Sequence, residues 1–335
     1  ILFALSVALL AGLAFGGGCA WLADQLDGRL RSLGEIRRVL DLAVLGTIPR
    51  QPLGRNPERE AVGTISHAVP RSLMAESYRA IRTNLEFLRR HREVQVILVS
   101  SPNPGDGKST TASNLAISLA QAGRGVLLID ADLRRPTLHN LYGGGGEHGL
   151  VDVLRGEATL PHACRPTPVP GLDFIPAGNV PHDPAELLAS TRFSRFLDDA
   201  RRSHDVVIID SSPMLAVTDA SIIGSMADGI ILVVNANAVR RADADRTSEL
   251  LKALGTPILG VVVNATTRDQ GGYGYGYGYG YGYGYGYGYG QGKVYGEEGV
   301  YGQTAGESTS IPATAKAVPA PTRVNGEAGT PAVRG

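Results

Sequence analysis

Between residues 94 and 265, short and nearly all-apolar runs alternate with helix-length stretches. The runs are VQVILVS (94–100), VLLID (126–130), LDFIPA (172–177), VVIID (206–210), IILVVNA (230–236) and ILGVVVNA (258–265). Runs this short with no polar alternation predict strands buried on both faces. Their separation by helix-sized segments predicts an α/β fold with a mostly parallel sheet covered by helices on both faces. From Ser72 to Arg90 the spacing of Leu73, Tyr78, Ile81, Leu85 and Leu88 predicts one amphipathic helix, and a second follows the first of these strands through about Ala122.

The pattern changes toward both ends. The first 23 residues carry no charge. At about 1.5 Å per residue they are long enough to cross a bilayer core of roughly 30 Å, so 1–23 is expected to be an N-terminal transmembrane helix. A cleaved signal peptide would carry a basic segment ahead of its apolar run. Arg29, Arg31, Arg37 and Arg38 follow the apolar stretch, and positive flanks stay in the cytoplasm. Residue 24 onward is therefore expected inside the cell. Residues 24–70 read as a juxtamembrane linker, with VLDLAVLGTIP followed by the Pro-, Gly- and charge-rich QPLGRNPEREAVG. The globular domain is expected over 71–268. Past it, YGYGYGYGYGYGYGYGYG at 273–290 leads into a Pro-, Ala-, Gly-, Ser- and Thr-rich end. Such a composition cannot bury enough surface to order itself, so 269–335 is expected to be a disordered Tyr/Gly-rich tail.

Composition narrows the function. Lys plus Arg equals Asp plus Glu at 32 each, and without a basic excess no nucleic-acid partner is expected. Cys19 and Cys164 form no CxxC pair and no zinc spacing. His139, His148, His182 and His204 share no spacing and are assigned no chemistry.

The strongest chemical signal is SPNPGDGKST at 101–110, between a strand and a helix. Gly105 and Gly107 let backbone amides close around phosphate oxygens, with Asp106 between them and Thr110 at the end of the motif. Lys108 supplies a cation to the outer phosphates, and Ser109 offers a hydroxyl to Mg2+. The helix N-terminus adds partial positive charge. Pro102 stands where the usual GxxxxGK[ST] pattern has its first glycine, so the match to the P-loop is partial. VVIID ends in Asp210, an acid at the carboxyl end of a strand, where sheets of this kind keep their ligands. That is where a P-loop NTPase holds its metal through a carboxylate. VLLIDADLRRP delivers Asp130 and Asp132 to one side of an extended chain. One of them could serve as metal ligand and one as base toward an incoming hydroxyl, and the residues leave that choice open.

On PGDGKST (104–110), LLIDADLRRP (127–136), VVIID (206–210), the apolar N-terminal run and the tyrosine-rich end, the chain resembles the bacterial tyrosine autokinases of capsule and exopolysaccharide synthesis. The resemblance covers essentially the whole chain. It implies ATP and Mg2+ as cofactors, with Lys108, Asp130 and Asp132 catalytic and Ser109, Asp130, Asp132 and Asp210 around the metal. It also implies that Glu76, Arg79 and Arg82 of ESYRAIR, which share one helical face, contact neighbouring subunits of a ring. Asn264, ending the last strand, would meet the nucleotide base. Related partition and septum-placement ATPases carry an early lysine, as in KGGxGK, where this chain has Asn103.

The function so implied is a membrane-anchored, ATP-dependent protein-tyrosine kinase at the inner membrane, its kinase domain and tail cytoplasmic. Its substrate would be the tail of its own chain or of a neighbour, through Tyr273, Tyr275, Tyr277, Tyr279, Tyr281, Tyr283, Tyr285, Tyr287, Tyr289, Tyr295 and Tyr301. A flexible run of about ten residues spans roughly 17 Å, enough to cross a subunit boundary. Implied partners are neighbouring subunits, a cognate phosphatase and the polysaccharide polymerisation and export machinery. The alternatives are a partition-type ATPase and a non-catalytic scaffold for polysaccharide chain length.

Overall fold

The computed structural model describes residues 28–30, 32–50, 62–90, 92–143 and 148–267, with helical positions at 3, 6, 10 and 12–19. The sheet has eight strands: β1 (Val44–Pro49), β2 (Val96–Ser100), β3 (Val126–Asp130), β4 (Arg165–Pro166), β5 (Leu172–Ile175), β6 (Val206–Asp210), β7 (Gly229–Asn235) and β8 (Ile258–Thr266). Their order is β1-β8-β7-β2-β6-β3-β5-β4. Every pair is parallel except the short edge pair β4 and β5.

All five residues of β2, β3 and β6 are buried, which explains why none of them alternates. One core cluster fills each side of the sheet. Ile97, Val99 and Val233 pack with the Leu73–Arg89 and Lys108–Ala120 helices on one side, and Leu98, Ile209 and Leu232 face the Thr191–Ser203 and Asp219–Gly224 helices on the other. From β2 the chain crosses past β6 to reach β3, and from β6 it returns past β2 to reach β7. That reversal opens a crevice at the carboxyl end of β2, where such sheets bind ligands.

Strand positions follow the sequence expectation closely, but the domain boundary does not. Residues 24–70, expected as a linker, contribute the helix Leu33–Leu40 and strand β1, which pairs with β8. Leu30, Ile36, Leu40, Leu45 and Ile48 are all buried. The cause is the open edge of β8, which β1 covers in parallel register from Val44 beside Val261 to Pro49 beside Thr266. Gly46 lets this strand close on the Leu73–Arg89 helix, since a Cβ there would lie 2.5 Å from Ile81 Cγ1.

The Leu73–Arg89 helix begins where Ser72 Oγ accepts the N–H of Ala75 at 3.1 Å. Met74, Ala75, Tyr78, Ile81 and Leu85 form its buried stripe. Leu73, expected on that stripe, is 67% exposed, because it opens the first turn on the solvent side. The expected span at 1–23 falls largely outside the described residues. Among the described residues no helix is long and apolar enough to cross a membrane. The expected tail, with Tyr273 through Tyr301, also lies outside the described residues.

Candidate active site

The loop between β2 and the Lys108–Ala120 helix is shaped by its glycines. Gly105 has φ +84° and Gly107 φ +97°, left-handed conformations that L-residues other than glycine adopt only at a cost. The loop is braced from three directions. Asn264, at the end of β8, donates its Nδ2 to the carbonyl of Asp106 at 3.0 Å. The Asp106 carboxylate accepts the N–H of Asn103 at 3.0 Å, so it stitches the loop rather than facing outward. Burial pushes that carboxyl up to about 6, against the pull of its backbone donors. On the third side, Met214 N–H donates to the carbonyl of Ser101 at 2.8 Å, and Ser100 Oγ donates to that of Ser212 at 2.9 Å.

Lys108 and the three strand-end acids converge as the sequence implies. Lys108 Nζ lies 2.9 Å from Asp132 Oδ2 and 3.5 Å from Asp210 Oδ2, and donates to Ser109 Oγ at 3.1 Å. Burial pulls the ammonium down, but Asp210, Asp132 and Asp130 together hold it above its ordinary range. It is therefore a cation at any physiological pH.

The acids have different surroundings. Asp130 and Asp210 sit side by side on adjacent strands in register. Asp130 Oδ2 accepts from the N–H groups of Thr137 and Leu138 at 3.1 and 3.0 Å, and Oδ1 from that of Asp132 at 3.3 Å. It organises the loop after β3. Burial and the Asp210 charge push it up to about 7. Asp132 Oδ1 accepts from Ser212 Oγ at 2.9 Å and from Arg135 N–H at 3.1 Å, while Oδ2 faces Lys108.

Asp210 is fully enclosed, and among the described residues neither carboxylate oxygen has a hydrogen-bond partner apart from the approach of Lys108. Burial pushes it up to about 6, against the pull of Lys108. A buried carboxylate without donors, beside a serine hydroxyl, is a hard oxygen set suited to Mg2+. The residues present fit that ion.

Sequence reasoning missed the far side of this cluster. Asp219, buried completely, accepts two bonds from Arg134, and Ser212 stands between Asp219 and Asp132. Arg134 was visible inside LLIDADLRRP, but Asp219 carries no spacing that ties it to the motif. Asn103, at the position where partition ATPases hold a lysine, donates Nδ2 to Asp243 Oδ2 at 3.1 Å.

The ESYRAIR face is used within the chain. Arg79 pairs with Glu76 and donates to the Pro70 carbonyl. Arg82 donates to the carbonyl of Ser118 at 2.8 Å and ties its helix to the one that starts at Lys108. Among the described residues, Cys164, Asp173 and His204 form a further group, with ligand atoms within 4.8 Å of one another. There His204 is already satisfied, its ring nitrogens bonding Asp173 at 3.1 Å and Ser203 at 2.9 Å.

Comparison with known proteins agrees with this geometry. The profile of the ParA family, described as NUBPL iron-transfer P-loop NTPase, matches residues 93–270. The tyrosine-protein kinase YwqD of Bacillus subtilis is 40% identical over 200 residues, covering 60% of this chain and 84% of YwqD. The putative tyrosine-protein kinase EpsB of Ralstonia nicotianae is 33% identical over 79% of this chain, which spans only 36% of that longer protein. Among solved structures, the kinase domain of Escherichia coli tyrosine kinase ETK superposes with a TM-score of 0.64 at 31% identity, covering 74% of this chain and 99% of that domain.

Proposed function

This chain belongs to the tyrosine-protein kinases of bacteria, a branch of the P-loop NTPases, and on that premise we propose that its own C-terminal tyrosines are its substrate. The observation that carries the proposal is the meeting of β8 with the nucleotide loop. Asn264 touches Asp106, and the first tyrosine of the cluster, Tyr273, follows nine residues later. The strand that precedes the acceptors in the chain thus ends at the nucleotide loop, which supports their delivery to Lys108, Asp132 and Asp210.

A phenol with an ordinary pKa near 10 is a poor nucleophile until its proton is taken. Asp132 is the better placed base. Asp130 is committed to the backbone of its loop, whereas Asp132 Oδ2 is held only by Lys108. When Lys108 turns to the outer phosphates of ATP, that oxygen is released. The phenol oxygen bonds to the γ-phosphorus as the bridging bond to the β-phosphate breaks. The phenolic proton passes to Asp132, and ADP leaves. Lys108 and the loop amides neutralise charge on the transferring group, which is most of the catalytic work in such reactions. Asp210 and Ser109 would hold Mg2+, which neutralises charge on the β- and γ-phosphates when bound. Asn264, expected at the nucleotide base, serves in this reading to fix the loop.

The setting we propose is the inner membrane, with residues 1–23 as anchor and the kinase domain and tail cytoplasmic. There the chain would work in a homo-oligomeric ring with Glu76, Arg79 and Arg82 near its seams. It would regulate exopolysaccharide or capsule polymerisation and export, opposed by a cognate phosphatase. Incubation with ATP and Mg2+ followed by mass spectrometry of residues 269–301 tests the central claim. Phosphotyrosine there, absent in Lys108→Met, is the expected result. An unmodified tail, or a modified tail in Lys108→Met, defeats it.

A further inference from the structure

The Asp219 carboxylate has no part in the chemistry above, yet it is fully enclosed at the first turn of the Asp219–Gly224 helix. A buried charge persists only when it is paired and hydrogen-bonded. Arg134 does both, with Nε donating to Oδ2 at 2.8 Å and Nη2 to Oδ1 at 3.0 Å. This is the fork-on-fork geometry that a guanidinium makes and an ammonium does not. Between the aspartates stands Ser212, its Oγ 2.9 Å from Asp132 Oδ1 and 3.5 Å from Asp219 Oδ2. A hydroxyl has one proton to donate. At these distances it goes to Asp132, because Asp219 is already satisfied.

We propose that Arg134 is a positioning residue for phosphoryl transfer: by satisfying Asp219 it leaves the Ser212 proton to Asp132, and so holds the Asp132 carboxylate with Oδ2 toward Lys108. The inference rests on the role given to Asp132 above. Without the guanidinium, Asp219 becomes an unpaired buried carboxylate within reach of Ser212, and it takes that hydroxyl. Asp132 then loses the shorter of its two Oδ1 bonds, 2.9 Å against 3.1 Å, and turns out of line.

A role for Arg134 in anchoring its loop alone makes the opposite forecast for one double variant, since losing Asp219 as well cannot help. A role in neutralising a buried charge for stability alone lowers the folded fraction and leaves kcat per folded molecule unchanged, so kcat is taken per nucleotide-binding site. If Arg134 acts by quieting Asp219, then Asp219→Asn removes the competitor and restores the site.

The experiment uses the full chain as the unaltered protein, Arg134→Ala, Arg134→Lys, Asp219→Asn and Arg134→Ala/Asp219→Asn. Two quantities are read: kcat and KM for ATP in phosphotyrosine formation, and the Mg2+ concentration that half-saturates binding of a fluorescent non-hydrolysable ATP analogue. Arg134→Ala is expected to lose roughly 10- to 100-fold in kcat with KM for ATP changed by less than about threefold, as removal of a positioning hydrogen bond predicts. Its Mg2+ requirement should rise about threefold or more, since Asp132 shares Lys108 with Asp210, the carboxylate assigned to the ion. Arg134→Lys keeps the charge without the fork and should fall between. The double variant should recover both readouts to near the values of Asp219→Asn alone. An Arg134→Ala protein with unaltered kcat and Mg2+ requirement overturns the proposal, as does a double variant no better than Arg134→Ala. The Mg2+ readout needs no phosphotyrosine, so it judges Arg134 even if the unaltered protein forms none, a result that would defeat the kinase reading alone.

Discussion

Replacing Gly107 with alanine asks whether the nucleotide loop and β8 behave as one unit. The added Cβ would lie 2.1 Å from Asn264 Nδ2, on a residue whose φ is +97°. Left-handed backbone costs an L-residue about 1–2 kcal/mol. The methyl also evicts the Asn264 amide from the Asp106 carbonyl it bonds at 3.0 Å, and a net hydrogen bond is worth about 0.5–1.5 kcal/mol. The sum, about 1.5–3.5 kcal/mol, corresponds to roughly 10- to 400-fold in an equilibrium constant. The loop escapes this strain by leaving its phosphate-cradling shape, so the loss should appear in nucleotide affinity more than in global stability. Titration of a fluorescent ATP analogue with Mg2+, beside a thermal melt, separates the two. Asn264→Ala alone loses only the bond and should weaken binding about 2- to 10-fold. Because the alanine at 107 has already broken that bond, adding Asn264→Ala to it should cost almost nothing more. A Gly107→Ala protein that binds within twofold of the unaltered chain, or a pair of substitutions whose effects add in full, would refute the reasoning.

Other outcomes follow from the same contacts. Asp210, pushed up to about 6 by burial, has a folded-state pKa above its unfolded value. Its contribution to stability is present below about pH 4 and is lost as pH rises through about 6. Asp210→Asn should therefore leave the Mg2+-free protein at least as stable at pH 7 while abolishing phosphotransfer, and a marked drop in melting temperature would contradict this. Asp228 shows the reverse sign: burial raises it, but the Arg201 fork at 2.5 and 2.8 Å and the N–H groups of Gln95 and Val96 more than offset that and hold it low. Its stability is present above about pH 4 and lost as pH falls further. Arg201→Ala should cost about 1.5–3 kcal/mol at pH 7 in urea unfolding, a difference that shrinks toward pH 3. A chain beginning at residue 71 should aggregate or melt well below the full domain, because it bares the edge of β8 and the side chains that covered it. Equal solubility and stability would restore the shorter boundary.

The strands and the nucleotide loop were legible because each is a local signal. VLLID or GDGKST states its structure within a few residues, and an acid closing a buried strand points to the ligand end of the sheet. What escaped was decided between distant segments. VLGTIP reads as a turn-rich connector because its glycine and proline are judged locally. Only the free edge of β8, more than two hundred residues later, makes it a strand. The sequence assigned Asn264 to the nucleotide base, but gave no sign of its bond to the Asp106 carbonyl beside Gly107. The chain from Asp132 through Ser212 to Asp219 and Arg134 spans separations of 80 and 85 residues, and no periodicity connects such positions.

The pairing of β1 with β8 also gives the molecule a mechanical joint. The chain arrives at the Val44 end of β1 and departs toward the tyrosines from the Thr266 end of β8, with Arg50 N–H bonded to the Thr266 carbonyl at 2.8 Å. Parallel strands drawn from those opposite ends are loaded in shear, so their cross-strand bonds bear together rather than parting one by one. Asn264, which holds the nucleotide loop, lies within the same paired stretch. Tension between the upstream segment and the tyrosine segment therefore passes through the strand that sets the shape of the phosphate cradle.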